Sequence, residues 1–349
     1  MLSSANRAEM GEGQARQTAA ALLGGAVADL SRVAGGGNNR LFQVAAADGA
    51  LYALKSYLRD AADERDRLGV EFEAARFLWQ HGVRQVPRAV ARDEAGSSAL
   101  YAWVDGERVV QPGEGDIDQA IAFLAELHSL AAMPEARRLP LASEACLSAG
   151  ELVRQIEHRA SRLRAIRHMG LTRLLAEEYS DLHDRFVDAA VDGYAATELD
   201  FAADLPADRQ TLSPSDFGFH NALRQPDGML VFLDLEYFGR DDPVKLTADF
   251  LLHPAMALSP ELKAGFFRQM RGLYARDPQF GLRFRLLYPL YGLRWALILL
   301  NAFLPERWRR QAFANEAQGR EAVQDRQLAK ARAMLKHISR NVTEFPYDA

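Results

Sequence analysis

The chain has 349 residues, 48% apolar and 26% charged, a globular composition that excludes disordered and fibrous classes. Its 42 Lys and Arg against 47 Asp and Glu leave a formal charge of −5, which gives no reason to expect a nucleic-acid partner. The single cysteine, Cys146, excludes an intrachain disulfide and a cysteine-rich zinc site and fits a reducing cytoplasm.

The first apolar stretch, Thr18 to Leu30, follows Arg7 and Arg16 like a faint signal peptide, but Glu9 and Glu12 precede it and Gly24-Gly25 interrupts it. From Ser31 to Tyr57 the pattern becomes short strand-like pieces. A glycine-rich turn, Ala34 to Asn39, leads into the strand Leu41-Phe42-Gln43-Val44. Asp48-Gly49 signals a hairpin, and Leu51 to Lys55 returns. Arg67 to His81 reads as a helix with Leu68, Phe72, Ala75 and Leu78 on one face, ended by Gly82. A strand pair at Arg88 to Ala91 and Ala99 to Val104 closes a small α+β lobe of about residues 20–105.

Residues 106–349 read as a larger, mainly helical lobe, with helices expected at Ile117 to Leu130, Leu147 to Arg167 and Arg173 to Val191. Within it, Leu212 to Leu235 is the exception: two short strands around the turn Pro226-Asp227-Gly228. The apolar stretch Tyr288 to Pro305 contains Arg294. Its uninterrupted part is shorter than the roughly 20 residues needed to span a bilayer, so a buried helix is expected and no membrane partner. Leu328, Ala331, Leu335 and Ile338 form a helical stripe suited to core packing.

Acidic and polar residues concentrate around the isolated hairpin. Asp216 is followed five positions later by Asn221, and Asp234 comes directly after the apolar strand Val231-Phe232-Leu233. Phosphoryl transfer needs these residue types: one carboxylate to orient a hydroxyl and take its proton, and a carboxylate with an amide oxygen to hold Mg²⁺ against nucleotide phosphates. The hairpin would bring Asn221 and Asp234 side by side. In the first lobe, the glycines Gly35, Gly36 and Gly37 with Asn38 offer backbone to phosphates. Lys55 ends the returning strand, and Glu73 on the following helix is expected to pair with it.

This order of features resembles the aminoglycoside phosphotransferase and choline kinase branch of the protein-kinase-like fold, from about Ser31 to Pro254. The segments that carry the resemblance are Gly36 to Arg40, Leu54-Lys55, Glu73 to Leu78, Tyr101 to Glu107, Leu124 to Leu130, Ser215 to Asn221 and Leu233 to Glu236. The resemblance implies a bilobal α+β fold, a small β-rich lobe over a large helical one, and an ATP- and Mg²⁺-dependent kinase of a small-molecule hydroxyl. It implies Asp216 as the catalytic carboxylate, Asn221 and Asp234 as metal ligands, Lys55 on the phosphates with Glu73 as its partner, and Tyr101 to Trp103 as the strand on which adenine sits. Two positions depart from the family pattern. Pro214 stands where a loop-positioning histidine is usual, a feature that favours a pseudokinase. Leu246 stands where an aspartate is usual, with Asp249 three residues later as a structural residue.

Other residues read more plainly. His128 suits helix packing, His220 a hydrogen-bonding role in its loop, and Trp295 and Asn301 core positions, while Cys146 has no activating base. The segment from Leu147 to Arg173 carries six arginines and two histidines against Glu151 and Glu157. Such a segment would repel a polycationic aminoglycoside, so a neutral or anionic sugar-like acceptor is expected.

Overall fold

Alternation of apolar residues sets the first layer. The computed structural model describes residues 10–33, 39–57, 65–197, 199–256, 258–305, 319–343 and 346–347. Helix α1 (Glu12–Leu23) is followed by strands β1 (Val27–Val33), β2 (Asn39–Ala46) and β3 (Leu51–Tyr57), helix α2 (Arg67–Gln80), and strands β4 (Ala89–Asp93) and β5 (Ser98–Ala102). The five strands form one antiparallel sheet in the order β1-β2-β3-β5-β4. The expected Asp48-Gly49 turn joins β2 to β3. Gly49 takes a left-handed φ of 84°, and the Asp48 carboxylate accepts from the Ala50 amide.

Each face of the sheet has its own helix. Phe42, Val44, Leu54 and Leu100 meet Ala15 and Ala19 of α1, so the stretch resembling a signal peptide is a helix and an edge strand of this lobe. Their strand neighbours point the other way: Tyr57, Ala99 and Tyr101 join Leu68, Phe72, Ala75 and Leu78 of α2. Asp66 caps α2 by accepting from the Gly69 amide.

After a crossing at residues 103–106 the chain is mainly helical. Strand β6 (Glu107–Arg108) leads to α3 (Glu114–Ala131), α4 (Ala149–Arg164), α5 (Met169–Leu174) and α6 (Ser180–Ala196), with a wide π turn at Leu175–Tyr179 joining the last two. Four short strands follow: β7 (Thr211–Ser213), β8 (Ala222–Arg224), β9 (Leu230–Phe232) and β10 (Gly239–Asp241). The expected hairpin is β8–β9, with Gly228 at φ 89° in its turn. Two pairings are additional. β6 lies against β8, and β7 pairs with β10. Gly239 is fixed by close approach, since a Cβ there would come within 2.5 Å of the backbone of Pro140 to Ala142.

Helices α7 (Pro243–Leu252), α8 (Pro260–Leu273), α9 (Phe280–Leu299) and α10 (Arg320–Thr343) complete the chain. Helix α9 packs against α4, α6, α7 and α10. It is the one helix among the described residues long and apolar enough to cross a membrane, and it is largely buried in the fold. The stripe Leu328, Ala331, Leu335 and Ile338 is buried. Beneath the hairpin the rings of Phe123, Phe217, Phe232, Phe250 and Phe266 stack in sequence, with centroids 3.9 to 5.8 Å apart.

Candidate active site

Lys55 and Tyr57 leave the same face of β3, and their partners sit on α2, on β5 and on the segment after β9. Lys55 Nζ donates to Glu71 Oε2 at 2.6 Å and to Asp234 Oδ1 at 2.5 Å, with Glu236 Oε2 at 4.0 Å. The Tyr57 hydroxyl donates to Glu71 Oε2 at 2.8 Å and lies 2.8 Å from the Tyr101 hydroxyl. Burial opposes the charge of Lys55, but Glu71, Asp234 and Glu236 outweigh it and hold the ammonium group above the ordinary lysine range. Burial pushes Glu71 up to about 7; Lys55 pulls it down, and Asp234 and Glu236 push it further up.

The partner of Lys55 is therefore Glu71, and the expectation of Glu73 is corrected. Two residues along a helix turn the side chain by about 200°. Glu71 faces the sheet and is buried, whereas Glu73 faces outward and pairs with Arg76 at 2.6 Å and Arg92 at 2.8 Å. Tyr101 lies in β5, on the strand expected to carry adenine. Its side chain is buried against Tyr57 and Phe72, behind Lys55. Trp103 continues the strand, its amide donating to Leu51 O at 3.1 Å. Gly35, Gly36, Gly37 and Asn38 lie outside the described residues. Asn39, next in the chain, donates from Nδ2 to Glu236 Oε2 at 2.7 Å, which ties the end of the glycine-rich turn to the larger lobe.

Asp216 sits after β7, between Ser215 at φ 67° and the buried ring of Phe217. A second left-handed residue, Asp234, has φ 62°. For non-glycine residues such backbone costs about 1–3 kcal/mol each and gathers at functional sites. The Asn221 side-chain amide donates to Asp216 O at 3.0 Å, and the Leu233 amide donates to Asn221 O at 2.7 Å. Two hydrogen bonds thus link Asp216 to Asn221 and Asn221 to Leu233, the residue before Asp234. Asn221 and Asp234 fit a hard divalent cation: the amide nitrogen of Asn221 is spent on Asp216, leaving its oxygen, and Asp234 supplies a carboxylate. Glu71, Asp234 and Glu236 also bring carboxylate oxygens within 4.8 Å of one another around Lys55.

Two histidines converge on Asp216. His220 Nε2 is 3.2 Å and His253 Nε2 3.5 Å from Asp216 Oδ1. Burial alone would raise the Asp216 carboxyl; the hydrogen bonds from the two imidazoles reverse this and hold it below the usual carboxylate range. Burial lowers His253, against the pull of Asp216. The hydrogen-bonding role expected of His220 is present. His253 carried no sequence signal, because the end of α7 reaches the site only through tertiary folding. Gly218 makes room for the pair, since a Cβ there would lie 2.8 Å from His220 Nδ1. His128 packs edge-on against Tyr274, with centroids 4.7 Å apart, as expected of a packing residue.

A family model described as the phosphotransferase enzyme family matches residues 29–280. The chain belongs to that family of phosphotransferases. Solved structures share its protein-kinase-like fold. The gentamicin complex of APH(2")-IIa is 15% identical with a TM-score of 0.60, covering 94% of this chain and 97% of its own. ADP-bound aminoglycoside phosphotransferase APH(2'')-Ib is 14% identical with a TM-score of 0.58, covering 94% and 99%. Choline kinase LicA from Streptococcus pneumoniae is 14% identical with a TM-score of 0.57, covering 93% and 99%. No curated protein matches the chain by sequence.

Proposed function

We propose that this phosphotransferase transfers the γ-phosphoryl group of ATP, with Mg²⁺, to a hydroxyl of a small neutral or anionic sugar-like molecule in the cytoplasm. The observation that carries the reading is the meeting of Lys55 from the small lobe with Asp234, whose neighbour Leu233 is hydrogen-bonded to Asn221, which in turn bonds Asp216. In this reading residues 20–105 bind the nucleotide, and residues 106–349 supply the catalytic loop and the acceptor side. Lys55, held by Glu71, donates to the α- and β-phosphates. Asn221 and Asp234 hold the metal, which when bound neutralises charge on the phosphates. Asp216, kept ionised by His220 and His253, aligns the acceptor hydroxyl and accepts its proton.

Charge near the catalytic loop supports the acceptor class. Arg159 of α4 turns inward to Glu144, which also meets Arg294 at 3.5 Å. Arg154 instead pairs with Glu151 on its own helix. Lys245 lies between Asp241 and Asp249. In this cluster three cations face three carboxylates, leaving no surplus negative charge to draw in a polycation.

The test is an acceptor screen with purified protein, ATP and Mg²⁺, reading metabolite pools for a mass gain of one phosphoryl group. A phosphorylated neutral or anionic sugar supports the reading. Robust aminoglycoside resistance in a sensitive bacterium, with phosphorylated drug recovered, overturns the acceptor class.

A further inference from the structure

The buried ion cluster beside the catalytic loop has more charge than packing requires. Asp241, Lys245 and Asp249 are four residues apart, which lines them along one face from the end of β10 into α7. Lys245 Nζ is 2.8 Å from Asp241 Oδ2 and 3.1 Å from Asp249 Oδ2, with the Lys245 and Asp241 side chains fully buried. The second Asp249 oxygen accepts from Trp295 Nε1 at 2.8 Å, and Asp241 Oδ1 accepts from the Cys146 and Asp242 amides. Desolvating such a set is costly, and apolar residues of the same volume often stabilise a fold equally well. Stability alone therefore does not account for a lysine here.

Its third contact does. Lys245 Nζ donates to Ser215 Oγ at 3.4 Å, and that hydroxyl donates onward to Ser143 O at 3.0 Å. The Ser215 amide donates to Ser213 Oγ at 3.0 Å. Ser215 is the left-handed residue immediately before Asp216. These bonds engage the amide and the hydroxyl of Ser215 with Ser213, Ser143 and Lys245. Pro214, immediately before Ser215, offers the loop no side-chain hydrogen-bonding group.

We infer that Lys245 is a positioning residue for the catalytic loop, acting through the Ser215 hydroxyl: held by Asp241 and Asp249, it fixes Ser215 in its left-handed backbone and so aims the Asp216 carboxylate. The kinetic side of this inference rests on the catalytic role proposed for Asp216; its structural side does not.

The experiment compares Ser215→Ala, Lys245→Met and the double variant by kcat, ATP affinity and hydrogen exchange of the amides between 213 and 217, Pro214 having none. Ser215→Ala is expected to lower kcat by roughly 10- to 100-fold, the scale of a catalytic group displaced by a fraction of an ångström to one ångström. ATP affinity should be unchanged, and exchange at 213–217 faster. Lys245→Met should do the same, and the double variant should be no worse than the more impaired single, because both remove one connection. Wild-type kcat and wild-type exchange in Ser215→Ala would overturn the inference, as would losses that multiply in the double variant. If Lys245→Met fails to fold, Ser215→Ala decides the matter, since its truncation leaves the buried ions paired. If the wild-type protein transfers no phosphoryl group, the proposed function fails, and the exchange of 213–217 in Ser215→Ala still decides whether the loop is pinned.

Discussion

His253 lies flat on His220, with ring centroids 3.8 Å apart and planes 5° from parallel, and both imidazoles reach the same oxygen of Asp216. Trp295 stands edge-on behind His253 at 4.7 Å. The stack makes His253 a supporter of the carboxylate from a different element, the end of α7. His253→Phe keeps an aromatic ring in the stack and removes one of the bonds that hold Asp216 low. The Asp216 carboxyl then rises, so the acid limb of the pH profile of kcat/KM moves to higher pH. A profile superimposable on that of the wild type would assign His253 to packing alone.

Asp216 and Asp234 are expected to fail differently. Asp216→Asn should retain nucleotide binding and lose roughly 10²- to 10⁴-fold in turnover, the range for a positioned general base. Asp234→Ala should weaken ATP binding in the presence of Mg²⁺ far more than with a chelator, because a metal ligand acts through the metal. Thermal shifts with ATP, with and without Mg²⁺, separate the two. Equal loss in both conditions would make Asp234 a structural residue.

The helix partner of Lys55 can be tested by two conservative changes on α2. Glu71→Gln removes the charge that holds Lys55 and meets Tyr57, and ATP affinity should fall by about tenfold or more, the scale of a charge-assisted hydrogen bond. Glu73→Gln touches an outward pair with Arg76 and Arg92 and should change stability by about 0.5 kcal/mol or less, with ATP affinity intact. Isothermal titration of both variants reads the contrast directly. The reverse ranking would restore Glu73 as the partner.

Phe217 follows Asp216 and joins the ring stack of Phe123, Phe232 and Phe250. Phe217→Ala should cost about 3–5 kcal/mol, the range for a buried aromatic truncated without repacking. Urea unfolding of the variant measures it, and a loss below about 1 kcal/mol would mean that the neighbouring rings collapse into the space.

The sequence carried the bilobal plan because strand alternation, the Asp48-Gly49 turn and the apolar face of α2 are local signals. It also carried the hairpin that Asn221 and Asp234 flank, because the Pro226-Asp227-Gly228 turn between two short apolar runs is a local signal. The choice between Glu71 and Glu73 was legible on the helix itself: Glu71 stands three residues after Leu68 and four before Ala75, on the face that is buried against the sheet, and Glu73 lies off that stripe. The basic run from Leu147 to Arg173 concealed which arginine turns inward; Arg159 does so because Glu144, in a loop with φ 57°, is placed to receive it. The spacing Asp241, Lys245, Asp249 was visible, but nothing local tells a buried ladder from a solvated one.

The chain's one cysteine is also placed where it can report on the buried ion cluster. Cys146 is 1% exposed, its amide bonds Asp241, and burial pushes its thiol up to about 12, against the pull of Arg294 and Lys245. At neutral pH it is a shielded, protonated thiol that an alkylating reagent meets only when this region opens. The protein thus has a native single-site clock for opening of the buried cluster around Asp241 and Arg294. A pulse of maleimide followed by mass spectrometry would time that opening in the unmodified chain, and would show whether ligands bound in the cleft slow it.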